Sequence, residues 1–323
     1  MRFETPIPDT QISFYQRLEA LKESMLQEAL FETVKKVEIN KIDDQLKQYV
    51  TNGDLQLLAE HGIRGEVMFA VPYVLEQNPY LIGYYRLLLG FSQKAFYTSG
   101  RGLGFGIFKS MEFKGTLSPT QKSVLSEGCK ALNTSAALLL RSLKRPSISS
   151  SLIRDLTLLT LGPQLRGGHN VSLGTAATRL VFEMIRDIVS SAIISSSDAQ
   201  ISLKNAAGRE TLIEFSSDPD IVIREKLKSG NFRNWIAIEI KGGTDVSNAH
   251  NRLGEAEKSH QKAKQKGFTE CWTLLGAKVD LEIACNESPT TDRFFLLNKL
   301  AVKDSSDYLD FRENVIALTG IND

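Results

Sequence analysis

The sequence lacks any apolar run of the ~20 residues that a membrane-spanning helix requires. Cysteine is scarce, because the chain has three at wide spacing, which argues against a disulfide framework and a cysteine zinc site. The segment Met1–Pro6 lacks the apolar stretch of a signal peptide. From these absences we expect a protein of the reducing cytoplasm.

An excess of charge of either sign is also lacking, since the net charge is only +1. Overall charge therefore neither favours nor excludes nucleic acid, because acidic groups elsewhere can offset a local basic cleft. The chain is 42% hydrophobic and 24% charged, as globular proteins are. Its 323 residues suffice for one large domain or two ordinary ones.

What the sequence does contain is a predicted β-hairpin between residues 219 and 241. The apolar run Ile221–Ile223 is followed by a polar turn with Gly230 at its tip, and then by a second β-branched run. Because side chains alternate along a strand, Glu239 and Lys241 share one face, and the isoleucines beside them point into the core.

Pairing of the two strands brings Asp220, at the start of the first strand, beside Glu239 and Lys241. Two carboxylates and a backbone carbonyl make an all-oxygen site suited to Mg²⁺, which keeps several waters. Such a metal polarises a phosphate oxygen and lowers the pKa of a bound water, and a lysine can orient that water or stabilise charge. The alternative is a surface hairpin in which Glu239 and Lys241 form an ordinary ion pair.

Pro219-Asp220, followed after eighteen residues by Glu239-Ile240-Lys241, resembles the PD-(D/E)xK nuclease motif. The predicted order from 175 to 275, helix, three strands, helix and strand, is similar to the common core of that superfamily. The run Asn248–Lys262 resembles the helix after the active site in type II restriction endonucleases of the XcyI type. The resemblance implies a bacterial, Mg²⁺-dependent homodimer that hydrolyses phosphodiester bonds of double-stranded DNA at a short palindrome.

The resemblance assigns metal binding to Asp220 and Glu239, and water activation to Lys241. Asp218 competes with Asp220 for the metal, because residues two apart on a strand share a face. The position of Pro219 directly before Asp220 matches the motif and favours Asp220.

A further catalytic candidate lies on the helix before the sheet. In the resembling fold this helix often contributes a carboxylate near the metal, and Glu183 is the residue that this implies here. The alternative is an exposed Glu183 that forms an ion pair with Arg179 or Arg186 on the same helix.

Polar residues outside the motif are candidates for contact with DNA. Asn and Arg side chains can read base edges in the major groove, while basic residues at a hairpin tip can touch phosphates. The alternative for each is a solvated surface group or a helix cap. The candidates are Asn248, Asn251, Arg252, Arg166 and Asn170 for base edges, and Lys226 and Arg233 for phosphates.

The predicted fold class is α/β (α+β), with a restriction-endonuclease-like mixed central sheet flanked by helices and a mainly helical N-terminal part. Residues 1–150 are assigned to dimerisation and to embracing DNA, and residues 151–323 to the nuclease core with C-terminal helices. Within the first region, Ser118, Pro119 and Gln121 predict a helix start with a capping box.

Two glycine-bearing segments are predicted to be loops. Segment 99–106 could cradle phosphates, touch the DNA backbone or merely connect two elements. Segment 166–170 is predicted as a turn whose paired glycines let the backbone approach a ligand. Further predicted elements are helices at 174–194, 246–266, 290–300 and 306–318, and a buried strand at 270–275.

Other functions stay open at this point. A structure-specific or repair nuclease with the same core would cut junctions or lesions without a fixed sequence. A non-catalytic DNA-binding protein would carry a degenerate core, against which the intact Asp220, Glu239 and Lys241 set argues. A nucleotide-binding module would use segment 99–106, which no βαβ unit surrounds.

Overall fold

A computed structural model describes residues 8–98, 102–245 and 248–322. The chain divides into two compact units, Met1–His169 and Asn170–Asp323. Each unit has a hydrophobic core of its own. The long helix α10, Ser150–Ile188, contains the boundary between them. Within the described ranges, no helix is both long enough and apolar enough to cross a membrane.

In its described residues the first unit has helices joined by short connections and no strand, and its core includes Leu30, Phe69, Tyr84 and Leu132. Short 3-10 turns at Gly65–Val67, Pro79–Leu81, Phe105–Phe108 and Arg145–Ser147 connect its helices. The helices before α10 are α1 (Asp9–Ser24), α2 (Gln27–Lys35), α3 (Ile39–Tyr49), α4 (Asn52–Glu60), α5 (Pro72–Gln77), α6 (Ile82–Leu88), α7 (Gln93–Tyr97), α8 (Lys109–Lys114) and α9 (Pro119–Ser142).

Helix α9 confirms the predicted capping box. The Ser118 hydroxyl accepts a hydrogen bond from the Gln121 N–H at 3.2 Å, and the Gln121 side chain accepts one from the Ser118 N–H at 2.7 Å. In the glycine-bearing segment 99–106, residues 99–101 lie outside the described residues, and Phe105 begins a 3-10 turn. The helix start was predictable because its hydrogen bonds are local.

The predicted loop at 166–170 is wrong, because these residues are helical and lie inside α10. Pro163 and the paired glycines indicated a break, since both residue types have low helix propensity. Buried Leu161 and Leu165 instead continue the apolar side of α10 into a core cluster of the first unit. Packing of these leucines outweighs the local propensity.

The second unit contains a seven-stranded sheet in the order β1-β2-β3-β4-β5-β6-β7. Strands β1 to β5 are antiparallel, whereas β5, β6 and β7 are parallel. This sheet and its helices confirm the predicted fold class. The strands are β1 (Ile193–Ser196), β2 (Gln200–Lys204), β3 (Glu210–Phe215), β4 (Ile221–Lys226), β5 (Phe232–Lys241), β6 (Glu270–Leu275) and β7 (Arg293–Leu296), and the helices are α11 (Ala249–Gln265), α12 (Leu281–Glu287), α13 (Leu297–Leu300) and α14 (Ser306–Thr319).

Two predicted helices are wrong in part. The helix predicted at 174–194 ends at Ile188, and its last two residues belong to β1. Five strands, rather than the predicted three, precede α11. The helix predicted at 290–300 begins as β7, which pairs parallel to β6. Its apolar run is short, and a short run does not distinguish a buried strand from a buried helix.

The two faces of the sheet are covered by different helices. On one face, Phe182 of α10 and Phe311 of α14 share a core with Ile236, Ile238 and Ile240 of β5. On the other face, Ala263 of α11 packs with Val222, Ala237 and Cys271. Because alternate residues of a strand share a face, the odd-numbered residues at the end of β5 face α11.

Candidate active site

The register of β4 and β5 brings the predicted acidic residues together. Ile221 lies opposite Ile238, and Val222 lies opposite Ala237. One step further along this register, Asp220 lies across from Glu239. The backbone confirms this proximity, because the Ile240 N–H donates to Asp220 Oδ2 at 2.7 Å.

Lys241 completes the cluster that the motif predicts. Its Nζ lies 2.9 Å from Glu239 Oε1 and 3.3 Å from Glu255 Oε2 of α11. The ion pair of the alternative interpretation is therefore present. It does not lie on an open surface, since the Lys241 and Glu239 side chains are 18% and 10% exposed.

The electrostatics of Asp220 depart from those of an ordinary surface carboxyl. Burial and the nearby negative charge of Glu239 raise the pKa of Asp220 from 3.8 to about 6. Hydrogen bonding from Ile240 and the charge of Lys241 act in the opposite direction but do not compensate. Burial is therefore the main cause of the raised pKa of Asp220, and the charge of Glu239 adds to it.

Lys241 remains a cation in these surroundings. Burial lowers the pKa of its ammonium, but Glu239 and Glu255 outweigh burial and raise that pKa above its ordinary value. A lysine that stays protonated at neutral pH can stabilise negative charge on a phosphate, and it is a poor general base.

Asp218, the competing candidate for metal binding, forms hydrogen bonds with side chains of α11. Its Oδ1 accepts a hydrogen bond from the Ser259 hydroxyl at 2.6 Å, and its Oδ2 lies 2.7 Å from Lys262 Nζ. Hydrogen bonds from Lys262 and Ser259 lower the pKa of Asp218. Asp218 is thus paired with a lysine of α11, whereas the hydrogen bond at Asp220 comes from a neutral backbone N–H, and this difference supports Asp220 as the ligand.

Sequence reasoning missed the contribution of α11 to this cluster. The buried Ser259 hydroxyl also lies 2.8 Å from Glu239 Oε2, so it touches two acidic residues at once. The only signal in the sequence is a polar stripe at helical spacing beside the apolar side of the helix. Its members are Asn248, Arg252, Glu255, Ser259 and Lys262.

Glu183 lies on α10, which packs on the opposite face of the sheet from α11. Its carboxylate forms an ion pair with Arg186, which also donates to the Ser197 carbonyl at 2.7 Å. Helix α10 passes the end of β5 at Ala177, because a Cβ atom added to Gly242 would lie 2.5 Å from the Ala177 Cβ atom. Glu183 lies six residues beyond Ala177, about 9 Å along the helix. The structure thus favours the ion-pair alternative.

Five of the seven candidate DNA contacts fall near the two ends of β5. Asn251 and Arg252 lie one turn before Glu255, which contacts Lys241. Asn251 donates to the side chain of Asn248 at 2.8 Å, and both are exposed. Arg252 donates to the carbonyl of Gly243 and so braces the segment after β5. Base reading by these residues stays a prediction.

The hairpin tip lies at the other end of β5, where Arg233 is eight residues and about 26 Å from Lys241 at 3.3 Å per residue. There, Lys226 Nζ lies 3.0 Å from Glu210 Oε2, and the Arg233 guanidinium stacks 4.0 Å from the centre of the Trp235 ring. Arg166 and Asn170 are exposed on α10. DNA contact by these four residues stays a prediction.

The donor set fits a magnesium ion better than a metal held by protein alone. Across residues 8–98, 102–245 and 248–322, no group of three or more His, Cys, Asp or Glu side chains is placed to hold a metal ion. Mg²⁺ is usually held by one or two carboxylates, with waters and substrate phosphates completing its shell. Asp220 and Glu239 form such a pair of neighbouring carboxylates.

Comparison with known proteins agrees with this geometry. The family model of XcyI restriction endonucleases matches residues 15–322. The chain is 50% identical over 317 residues to the type II restriction enzyme XcyI of Xanthomonas campestris pv. cyanopsidis, which covers 98% of this chain and 95% of that enzyme. It is 48% identical over 318 residues to the type II restriction enzyme Cfr9I of Citrobacter freundii, with 98% and 96% coverage. The chain therefore belongs to the XcyI restriction endonuclease family.

Proposed function

We propose that this chain hydrolyses phosphodiester bonds of double-stranded DNA at a short palindromic site, with Mg²⁺ held by Asp220 and Glu239. As a member of its family, the chain is a type II restriction endonuclease, a site-specific deoxyribonuclease. The observation that carries the proposed site is the meeting of Asp220, Glu239 and Lys241 at one end of the β4–β5 pair. Asp220 and Glu239, with a backbone carbonyl, would hold the ion.

The ion, when bound, supplies Lewis-acid activation of the phosphate and of a water. The side chains of the protein stabilise charge, orient the water and limit access of bulk water. Lys241 faces the same side of the sheet as the two carboxylates and stays protonated, so its ammonium stabilises negative charge that develops on the phosphate and orients the attacking water. Burial of Glu239 limits bulk water around the cluster, which strengthens these electrostatic interactions.

The proposed assembly is a homodimer in the bacterial cytoplasm, where its DNA substrate is found. Each chain has one Asp220, Glu239 and Lys241 cluster, and cutting both strands of a palindrome calls for two clusters related by a two-fold axis. In this proposal residues 1–150 supply dimer contacts and embrace DNA, and residues 151–323 perform the cleavage. Asn248, Asn251 and Arg252, which precede Glu255 by one to two helical turns, are the proposed base readers on the side of α11.

The test is digestion of phage-sized duplex DNA by the purified chain with Mg²⁺, with and without EDTA, followed by sequencing of the new ends. We expect discrete fragments whose ends share one short palindrome, and no cutting in EDTA. A smear, or cutting of branched DNA alone, would favour a structure-specific or repair nuclease. No cutting with any divalent metal would contradict an active nuclease and favour a non-catalytic DNA-binding protein.

A further inference from the structure

Helix α11 brings a buried serine against two acidic residues of the cluster. Ser259 is 4% exposed, and its hydroxyl lies 2.8 Å from Glu239 Oε2 and 2.6 Å from Asp218 Oδ1. Glu239 belongs to β5, whereas Asp218 belongs to the turn before β4. We infer that Ser259 is a positioning residue that prepares the cluster for its metal ion, an inference that rests on the proposed function.

The first effect of α11 is to distinguish between the two aspartates of the motif. Ser259 and Lys262 hold both carboxylate oxygens of Asp218, and Lys266 Nζ lies 3.3 Å from the Asp218 carbonyl. These three residues share one side of the helix, because they are spaced by three and four. Asp218 is thereby anchored to α11, and Asp220 is the aspartate left to meet the ion.

The second effect is on the orientation of Glu239. Its Oε2 contacts the Ser259 hydroxyl, and its Oε1 contacts Lys241 Nζ at 2.9 Å. The single hydroxyl proton of Ser259 is shared between Glu239 Oε2 and Asp218 Oδ1, and this shared contact together with Lys241 at Oε1 restrains rotation of the Glu239 carboxylate. Groups that orient metal ligands in this way typically contribute 10- to 100-fold to metal affinity.

The helix that carries Ser259 is itself fixed beneath the sheet. The adjacent His260 is buried, and its Nε2 lies 2.8 Å from Thr273 Oγ1 on β6. Glu257 accepts a hydrogen bond from the Thr290 N–H at 2.9 Å. A positioning group is effective only on such a rigid support, because a loose helix would not define the orientation of the carboxylate.

The experiment measures Mn²⁺ binding to the full chain by electron paramagnetic resonance. The Mg²⁺ dependence of DNA cleavage is measured alongside it. We expect Ser259→Ala to weaken Mn²⁺ binding by about tenfold or more. The Mg²⁺ concentration for half-maximal cleavage should rise by a similar factor, while the rate at saturating Mg²⁺ falls less. A merely structural serine would not produce this separation of metal requirement from maximal rate.

Matched variants isolate the hydroxyl. The side chains in Ser259→Thr and Ser259→Val have nearly the same shape, and only threonine keeps the hydroxyl. The Thr variant should therefore bind Mn²⁺ more tightly than the Val variant, even if the added bulk weakens Mn²⁺ binding in both. Ser202→Ala is the control. Ser202 is also buried and donates to a carboxylate, Glu210, at 2.8 Å, so its loss removes the same kind of hydrogen bond elsewhere in the sheet.

Equal Mn²⁺ affinity in the wild type and Ser259→Ala would overturn the inference, as would equal affinity in the Thr and Val variants. In that case a wild type that binds Mn²⁺ and cuts DNA would leave the proposed function standing. A wild type that neither binds Mn²⁺ nor cuts DNA would overturn the proposed function and the inference together.

Discussion

Each unit of the molecule buries a carboxylate cluster, and the two clusters differ in how fully their negative charge is neutralised. In the first unit, Glu112 accepts hydrogen bonds from Arg86 at 2.7 and 2.8 Å, from Tyr97 at 2.6 Å and from Gln93 at 2.9 Å. In the second unit, Asp220 lies beside a second carboxylate, and the nearby lysine contacts that second carboxylate. We call the first cluster complete, because a cation and neutral donors contact its one carboxylate, and the second incomplete, because one lysine lies beside two carboxylates.

The pKa shifts of the two clusters have opposite signs for this reason. Burial raises the pKa of Glu112, but the hydrogen bonds and charge of Arg86 and the bonds from Tyr97 and Gln93 outweigh it and lower that pKa. Burial and the charge of Glu239 together raise the pKa of Asp220 to about 6. A buried carboxylate with a complete set of donors stabilises the fold, while two neighbouring carboxylates with one lysine between them are suited to bind a metal ion.

The largest expected effect is at the incomplete cluster. Asp220→Ala and Lys241→Ala should each lower DNA cleavage by about 1,000-fold or more, because each removes charge that acts on the reacting phosphate or its metal. DNA binding supported by Ca²⁺ should persist. Cleavage assays and gel-shift assays measure the two effects, and Asp198→Ala, an exposed carboxylate in the same unit, is the control. Cleavage at the wild-type rate in either variant would refute the site assignment.

At the complete cluster the effect should fall on stability instead. Arg86→Met leaves the buried carboxylate of Glu112 without its cation, which should cost about 3–5 kcal/mol of unfolding free energy. Urea unfolding measures this loss. Arg154→Met breaks an exposed pair with Asp155 and should cost less than about 1 kcal/mol. If Arg86→Met were as stable as the control, the contrast between the clusters would fail.

The smallest expected effect is at Glu183. Since Glu183 forms a half-exposed ion pair with Arg186, Glu183→Gln should change cleavage by less than about threefold and stability by about 0.5 kcal/mol. Cleavage kinetics at saturating Mg²⁺ make the test. A 100-fold loss would instead place Glu183 among the catalytic residues, as the family resemblance implies.

The sequence predicted those parts of the fold that depend on local rules. Alternation along β5 placed Glu239 and Lys241 on one face, and the turn at Gly230 set the hairpin that brings Asp220 to them. The capping box of α9 was equally local. Each of these patterns lies within a few residues or within one hairpin, so one sequence is enough to detect it.

The features that the sequence did not predict depend on contacts between distant residues. The glycines near Pro163 indicated a loop, but the packing of Leu165 keeps that stretch in a helix. The place of Ser259 depends on how α11 docks against the sheet, because its acidic partners lie 20 and 41 residues away. No local pattern encodes such a contact.

The measurement that tests the central claim most directly is the unfolding of the wild type and Asp220→Asn, without DNA, with and without Mg²⁺ at pH 7.5. Because the pKa of Asp220 is raised, its contribution to stability is fully present below pH 3.8 and is lost as the pH rises through about 6. A rise from 3.8 to about 6 corresponds to about 3 kcal/mol. Asp220→Asn removes this penalty, since its amide oxygen can still accept from Ile240.

We predict that Asp220→Asn without Mg²⁺ is more stable than the wild type by up to about 3 kcal/mol. Mg²⁺ at ten times its Kd should stabilise the wild type by about 1.4 kcal/mol and the variant by much less. A variant that is less stable than the wild type, or that gains as much from Mg²⁺, would contradict the claim that Asp220 and Glu239 form an incomplete cluster that binds a metal ion.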